Sequence, residues 1–267
     1  MITFPKAKIN IGLRVLRKRA DGYHDIQTLM YPIPLTDVLE IIPSDIEMKY
    51  DFGTLDFEGV PEDNLVTKAY FALKEDYPSL PALEIILRKR IPTGGGLGGG
   101  SSDGTNMLLG IKRLFGLEVS SERMHQLATS LGADCPFFLK DEPQLAEGIG
   151  EQLELYPLDL RGKWLTLLTS EIHINTASAY ASITPSDEGD DLRELLALPI
   201  KEWKGKVVNH FESAIFAQHP ILADGIKRLY DAGADYASMS GSGPTLYAIS
   251  DSPLKVAWDG KSYNLQL

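Results

Sequence analysis

The sequence contains one cysteine, Cys135, so an intrachain disulfide is excluded. It has no apolar run that approaches the ~20 residues needed to cross a bilayer, and residues 1–10 do not resemble a secretion or transit signal. Basic residues are outnumbered, with 26 Lys and Arg against 37 Asp and Glu, for a formal net charge of −11. We therefore expect a cytoplasmic protein that binds neither nucleic acid nor a membrane, because an acidic surface repels phosphates and anionic lipids.

The chain length of 267 residues fits one large domain or two modest ones, and the composition is that of an ordinary globular protein. The one basic cluster is short and is interpreted as a solvated turn; it consists of Arg14, Arg17, Lys18 and Arg19. A few local donors would still suffice to bind an anionic small molecule.

The order of the predicted strands and helices indicates an α+β protein with two lobes that divide near residue 155. Alternation from Ile9 to Leu16 predicts a half-buried strand, and apolar residues at helical spacing after residue 106 predict a helix. Asp63 is predicted to cap a helix over residues 64–75, and Ser120 or Ser121 to cap a helix that stops at Gly132. Further strands are predicted over 37–42, 83–87, 164–168, 236–239 and 246–249, and further helices over 177–181, 191–198, 207–217 and 221–232.

A glycine-rich segment is the most distinctive feature of the sequence. We call it the glycine loop; it consists of Pro92, Thr93, Gly94, Gly95, Gly96, Leu97, Gly98, Gly99, Gly100, Ser101 and Ser102. So many glycines disfavour a strand or helix interior, but they permit positive φ and a close approach of the backbone to a ligand. The polar run 101–103 then opens an amphipathic helix, whose free amides and dipole suit a phosphate group.

A flexible linker is the alternative interpretation of this loop, and Leu97, placed among the glycines as an anchor would be, argues against it. The loop lacks the Gly-Lys-Ser/Thr ending of a Walker loop, and its match to the dinucleotide-binding fingerprint is weak.

Two further motifs accompany the glycine loop. Residues 5–11 read Pro-Lys-Ala-Lys-Ile-Asn-Ile, and residues 238–245 read Ser-Met-Ser-Gly-Ser-Gly-Pro-Thr. Together the three motifs resemble the galactokinase, homoserine kinase, mevalonate kinase and phosphomevalonate kinase superfamily. This resemblance implies a two-lobed small-molecule kinase fold, with a ribosomal-protein-S5-like N-terminal domain, a ferredoxin-like C-terminal domain and the active site in the cleft between them. The implied domains are an ATP-binding kinase domain at residues 1–155 and a C-terminal kinase domain at residues 156–267.

Other segments resemble one branch of that superfamily, which acts in the non-mevalonate pathway of isoprenoid (terpenoid) biosynthesis. They are residues 19–24, 63–65, 131–136 and 146–151. The implied activity is transfer of phosphate from ATP to the 2-hydroxyl of a methylerythritol linked to cytidine diphosphate. One alternative is a mevalonate-type kinase or decarboxylase of the same superfamily, against which the run Asp21-Gly22-Tyr23-His24 argues. Another is a catalytically silent nucleotide-binding module, against which Lys8 and Asp134 argue.

The resemblance implies a catalytic pair, Lys8 and Asp134. Asp134 would accept the proton of the attacking hydroxyl, and Lys8 would keep Asp134 ionised and stabilise charge on the phosphoryl group. Taken alone, Asp134 is equally a loop or helix-cap aspartate, and Lys8 is equally a solvated strand residue. Lys6 shares the polar face of that strand and is the rival cation.

Substrate contacts are implied by the same resemblance. The residues are Asn10, Tyr23, His24, Tyr180 and Gly241. Aromatic rings suit stacking on cytosine, although Tyr180 is also suited to packing a helix, His24 to a surface turn and Gly241 to a plain hairpin.

Magnesium is implied by ATP chemistry, with Ser102 as a candidate ligand by analogy, while the remaining histidines show no metal-ligand spacing. Cys135 is interpreted as a small packed residue. The expected protein is a monomer or homodimer with a small-molecule substrate. It departs from the superfamily pattern at residues 103–105, where small apolar residues are usual, and at His210, where an acid is expected.

Overall fold

The computed structural model describes residues 1–53 and 61–267, which form two compact units. The first unit comprises residues 1–7, 35–93 and 98–141, and the second comprises residues 8–34, 94–97 and 142–267. The described strands are β1 (Ile2–Thr3), β2 (Lys6–Lys18), β3 (His24–Thr36), β4 (Val38–Ser44), β5 (Lys49–Asp51), β6 (Ala82–Arg88), β7 (Gln144–Glu147), β8 (Gln152–Leu155), β9 (Trp164–Thr169), β10 (Tyr236–Met239), β11 (Leu246–Ser250) and β12 (Lys261–Gln266). The described α-helices are α1 (Leu65–Asp76), α2 (Gly99–Phe115), α3 (Ser121–Leu131), α4 (Thr176–Ala181), α5 (Leu192–Leu196), α6 (Glu212–Gln218) and α7 (Pro220–Asp231), with 3₁₀ helices at Pro61–Asp63, Cys135–Leu139 and Ile200–Glu202.

The first unit packs helices α1, α2 and α3 with a four-stranded sheet in the order β1-β4-β6-β5. Strands β4 and β6 are antiparallel, and Leu39 lies opposite Leu87 while Ile41 lies opposite Ile85. Because side chains alternate along a strand, this register puts all four apolar side chains on one face, where they are buried. Cys135 belongs to the same core.

Helix caps in the first unit follow the expected chemistry, with one correction. Asn64, rather than the predicted Asp63, caps α1 by accepting a hydrogen bond from the amide of Val66. Asp63 is unavailable because Pro61–Asp63 forms a 3₁₀ turn before the helix. Ser120 caps α3 and Gly132 ends it, as predicted.

The second unit contains two four-stranded sheets, β2-β3-β7-β8 and β10-β11-β9-β12, of which β2 and β3 each leave two residues in the first unit. The predicted strands β9, β10 and β11 are confirmed, whereas β3, β7, β8 and β12 lie where the sequence predicts no strand. Helix α6 begins at Glu212 instead of residue 207. The preceding residues pair with β2 instead, since the amide of Leu13 donates to Val208 O and the amide of His210 donates to Leu13 O.

The predicted two-domain kinase architecture of the α+β class agrees with this mixture of sheets and helices. The compact units do not coincide with a single division near residue 155, because β2, β3 and the glycine loop each have residues in both units. The boundary between the two kinase domains therefore stays a prediction. Within the described ranges no helix has both the length and the apolar composition to span a membrane.

Replacing Gly225 in α7 by alanine tests the packing of the second unit. An added Cβ would lie 2.5 Å from Leu246 Cδ1 and 2.8 Å from Trp258 Cζ3. We expect Gly225→Ala to lower the free energy of unfolding by about 1–3 kcal/mol through overpacking, even though alanine favours helices. Chemical denaturation measures the change, and Lys227→Ala on the exposed side of the same helix is the control, expected to stay within about 0.5 kcal/mol of wild type. Equal stability of the two variants would contradict the packing described.

Candidate active site

The glycine loop uses the conformations that only glycine adopts easily. Gly94, Gly96 and Gly98 have φ values of 69°, 75° and 68°, in the left-handed region. Leu97 between them is 1% exposed, which confirms its role as an anchor. The segment is therefore held in a defined conformation, and the alternative of a flexible linker is wrong.

Helix α2 begins earlier than predicted, at Gly99 instead of Ser101, with Gly98 as its N-cap residue. Two glycines thus lie inside the first helical turn. Gly99 is required there because a Cβ would lie 2.9 Å from Ile91 Cγ2 and 3.1 Å from Lys89 Nζ. No side chain caps this N-terminus, so the amides of the first turn are directed toward whatever binds in front of the helix.

Parts of all three sequence motifs meet inside the second unit. The amide of Lys8 donates to Leu97 O (2.9 Å), and the amide of Asn10 donates to Ser240 Oγ (3.2 Å). Ser240 Oγ in turn donates to Gly96 O (2.9 Å). A Cβ on Gly96 would lie 2.1 Å from Ser240 O, so this contact needs glycine. Ser240, which the sequence analysis did not single out, is the residue that joins the other two motifs.

Lys8 is buried at 3% exposure, which contradicts its interpretation as a solvated strand residue. Its Nζ donates to Asn10 Oδ1 at 2.5 Å, and Asn10 Nδ2 donates to Thr28 Oγ1 at 3.1 Å. The rival cation Lys6 is exposed and pairs with Asp141 in the first unit. Of the two lysines, only Lys8 is thus buried and hydrogen-bonded to another predicted site residue.

Asp134 lies in the first unit, immediately before the 3₁₀ helix Cys135–Leu139, and is partly buried. Its side chain does not cap that helix, which removes the alternative of a structural cap. The neighbouring Cys135 is fully buried, and burial raises the pKa of its thiol to about 11. Cys135 is accordingly a packed thiol, as predicted.

Gly241 lies in the connection between β10 and β11, with φ of 58°. The turn is a hairpin, closed by the hydrogen bond from the Gly243 amide to Ser240 O. The alternative interpretation of Gly241 as a hairpin residue is therefore correct for its local backbone conformation. A Cβ on Gly241 would lie 3.2 Å from Asn10 Oδ1. Asn209 Nδ2 fixes the turn by donating to Met239 O and Gly241 O.

Two of the three predicted aromatic contacts come together in the second unit. The rings of His24 and Tyr180 are stacked, with centroids 5.0 Å apart and an angle of 18°. Tyr180 also packs edge-on against the buried Phe211, so its helix-packing role is real. Tyr23 is 60% exposed and close in sequence to this pair, at the turn that residues 19–23 form.

The first unit buries three charged side chains whose pairing the sequence analysis did not predict. Lys89 Nζ binds Asp37 Oδ2, and it binds Asp103 Oδ2 at 2.6 Å. Burial raises the pKa of Asp103 to about 7, and the ammonium of Lys89 limits the rise. The sequence shows Asp103 as a departure from the superfamily pattern. Nothing in the sequence indicates that Asp37 and Lys89, which are distant from it along the chain, pair with Asp103. Residue 210 is the other position that departs from the superfamily pattern, and there the half-buried His210 accepts a hydrogen bond from the amide of Val15.

Ser102, the candidate metal ligand, is fully buried, and its hydroxyl has no hydrogen-bond partner within residues 1–53 and 61–267. An orphaned hydroxyl in the first turn of α2 fits a cation that accompanies phosphates. The same described residues contain no cluster of three or more His, Cys, Asp or Glu suited to a metal ion. A cation here would therefore be held largely by the nucleotide itself, as is usual for magnesium.

Comparison with known proteins identifies the class. Residues 64–142 match the GHMP kinases N terminal domain, and residues 191–257 match the GHMP kinases C terminal domain. The chain belongs to the GHMP kinase family. Its members are ATP-dependent kinases, which confirms the predicted enzyme class and the use of ATP.

Within this family the chain is similar to proteins named 4-diphosphocytidyl-2-C-methyl-D-erythritol kinase. The relative from Bacteroides fragilis is 43% identical over 93% of this chain and 92% of its own. The relative from Azobacteroides pseudotrichonymphae is 44% identical over 96% of this chain and 95% of its own. A crystal structure of 4-(cytidine 5'-diphospho)-2C-methyl-D-erythritol kinase is 30% identical, covers 99% of this chain and 98% of its own, and superposes with a TM-score of 0.82. A homoserine kinase from Cytophaga hutchinsonii, 18% identical with a TM-score of 0.69 over 98% of this chain and 95% of its own, shares the fold.

Alanine substitutions at two glycines of the loop test the contact with Ser240. Both Gly94 and Gly96 have positive φ, but a Cβ at Gly94 has only His173 Nδ1 at 3.5 Å, an ordinary contact. We expect Gly94→Ala to destabilise by about 1–2 kcal/mol through backbone strain. Gly96→Ala should cost about 2 kcal/mol more, because its Cβ meets Ser240 O. Thermal and chemical unfolding measure both variants, and equal losses would show that the contact with Ser240 does not constrain Gly96.

Proposed function

We propose that this protein transfers the γ-phosphoryl group of ATP to the 2-hydroxyl of 4-diphosphocytidyl-2-C-methyl-D-erythritol. The observation that carries the proposal is the junction in the second unit, where Lys8, Asn10, the centre of the glycine loop and the Ser240 turn are linked by hydrogen bonds. Relatives of that name match this chain over more than nine-tenths of its length. The predicted cytoplasmic location and the monomeric or homodimeric state accompany this proposal as predictions.

In this proposal the glycine loop holds the phosphates of ATP. Left-handed glycines at positions 94, 96 and 98 and the uncapped start of α2 supply amides and a positive dipole end. Magnesium bound with ATP would neutralise phosphate charge, and the orphaned hydroxyl of Ser102 is the protein ligand that we assign to it.

The chemical step needs one proton transfer and one stabilised charge. The 2-hydroxyl oxygen attacks the γ-phosphorus, the bond to the β,γ-bridging oxygen breaks, ADP leaves, and the hydroxyl proton passes to the carboxylate of Asp134. The buried ammonium of Lys8, oriented by Asn10, stabilises the negative charge of the transferring group.

The cytidine end of the substrate is assigned to the aromatic residues of the second unit. His24 and Tyr180 already form a stacked pair with the geometry that aromatic rings favour. Cytosine presents a ring face to such a surface and a polar edge to hydrogen-bonding groups. Tyr23, exposed on the adjoining turn, is available to cover the other face of the base. Gly241 allows the hairpin backbone to come close to the substrate beside Asn10.

Substitution of the catalytic pair tests these roles. We expect Asp134→Asn and Lys8→Met each to lower kcat by about 10²–10⁴-fold, while the dissociation constant of a non-hydrolysable ATP analogue changes little. Lys6→Met is the matched control, because Lys6 lies two residues away on the same strand but is exposed; it should retain near-wild-type turnover. Near-full activity of Asp134→Asn would remove it from the role of base, and loss of activity in Lys6→Met would reopen the choice of cation.

Substrate choice separates the proposal from a mevalonate-type enzyme of the same fold. We expect turnover with 4-diphosphocytidyl-2-C-methyl-D-erythritol and none with mevalonate in a coupled assay of ADP release. His24→Ala should raise KM for the cytidine substrate without raising KM for ATP, since it removes half of the stacked pair. Turnover of mevalonate alone would refute the proposed substrate.

A further inference from the structure

A buried ionic cluster closes the base of the glycine loop. Lys89 lies just before the loop and Asp103 just after it, and their side chains are joined by a 2.6 Å ion pair. The side chain of Lys89 is 11% exposed and that of Asp103 is 3% exposed. This contact therefore fastens together, away from water, the two chain segments between which the loop projects.

Asp37 anchors the cluster to the sheet of the first unit. Its side chain, 0% exposed, also pairs with Lys89. Its Oδ1 accepts the amides of Arg90 (2.5 Å) and Ile91 (2.8 Å), while its own amide donates to Pro5 O. Asp37 thus fixes the residues that enter the loop, and Lys89 links that entrance to the second turn of α2.

General stability does not explain why these charges are buried. Apolar residues of similar volume commonly stabilise a core as well as a buried ion pair does, or better. Lys89 Nζ also lies 3.1 Å from the position of a Cβ on Gly99, so the cluster packs directly against the N-terminal turn of α2.

The glycine content of the loop gives a reason for joining the two segments that flank it. A segment with six glycines among residues 94–100 has a large conformational entropy when free. Cross-linking its ends restricts the conformations that it can sample before a ligand arrives, and a loop that is already ordered loses less entropy on binding.

We propose that Lys89, held by Asp37 and Asp103, is a positioning residue that preorganises the glycine loop for the phosphates of ATP. The inference rests on the proposal that this loop is the ATP-phosphate site. Lys89 acts through the backbone of the loop and α2, so its loss affects the nucleotide selectively and leaves the acceptor substrate bound as before.

The test removes the link at Asp103, because Lys89 then keeps Asp37 as its partner and no charge is left buried alone. We expect Asp103→Ala to raise the dissociation constant of a non-hydrolysable ATP analogue and KM for ATP by about tenfold, with KM for the cytidine substrate unchanged within about twofold. Calorimetric titration and steady-state kinetics measure the two effects. Asp103→Asn, which keeps the shape and an acceptor oxygen, should show a smaller rise and guards against misfolding of the alanine variant.

A matched control separates positioning from general loss of stability. Asp76→Ala removes the ion pair between α1 and Arg123 of α3 in the same unit, away from the loop. It should leave both KM values unchanged even where the melting temperature falls. Unchanged ATP affinity in both Asp103 variants would overturn the proposal, as would an equal rise in KM for both substrates.

Gly98→Val distinguishes failure of this inference from failure of the site itself. Valine at a φ of 68° strains the N-cap and intrudes on the loop, so ATP binding should weaken more than tenfold if the loop is the phosphate site. Unchanged ATP affinity in Gly98→Val would refute the phosphate site together with the role of Lys89. Weakened affinity in Gly98→Val with no effect of the Asp103 variants would refute only the role of Lys89.

Discussion

The hydroxyl of Ser240 is the group on which the arrangement of the second unit's motifs depends. It accepts a hydrogen bond from the strand that carries Lys8 and Asn10, and it donates one to the carbonyl of Gly96 in the glycine loop. A single side chain thus joins two segments that each lie more than a hundred positions from it in sequence. Burial strengthens these bonds and makes it costly to leave either partner unpaired, so the three segments hold one another in register.

Much of this arrangement could be predicted from the sequence because local chemistry dictates it. The alternation of apolar and polar residues from Ile9 to Val15 identified the apolar face of β2. The density of glycine identified a loop whose backbone needs left-handed φ. Ser120 and Gly132 marked the ends of α3 through the chemistry of helix caps. In each case the determining residues lie within a few positions of the structure that they determine.

Features that depend on partners distant in sequence could not be predicted in the same way. Lys8 was expected to be solvated if taken alone, because alternation indicates two faces of a strand but not that both are covered. Residues 207–210 have helical periodicity, yet they pair with β2, since tertiary hydrogen bonds outweigh a weak local preference. Asp37, Lys89 and Asp103 carry no common pattern, and only the fold brings their charges together.

The left-handed glycines of the loop limit how the protein can discriminate among nucleotides. At Gly96 and Gly99 a side chain is excluded by neighbouring atoms, and at Gly94 and Gly98 it is disfavoured by backbone conformation. Recognition by these glycines would therefore use main-chain groups, which contact a triphosphate but not the base attached to it. Any preference for adenine over guanine must be encoded in side chains other than these glycines, and mutation can alter that preference there without disturbing the phosphate contacts that the glycine amides make.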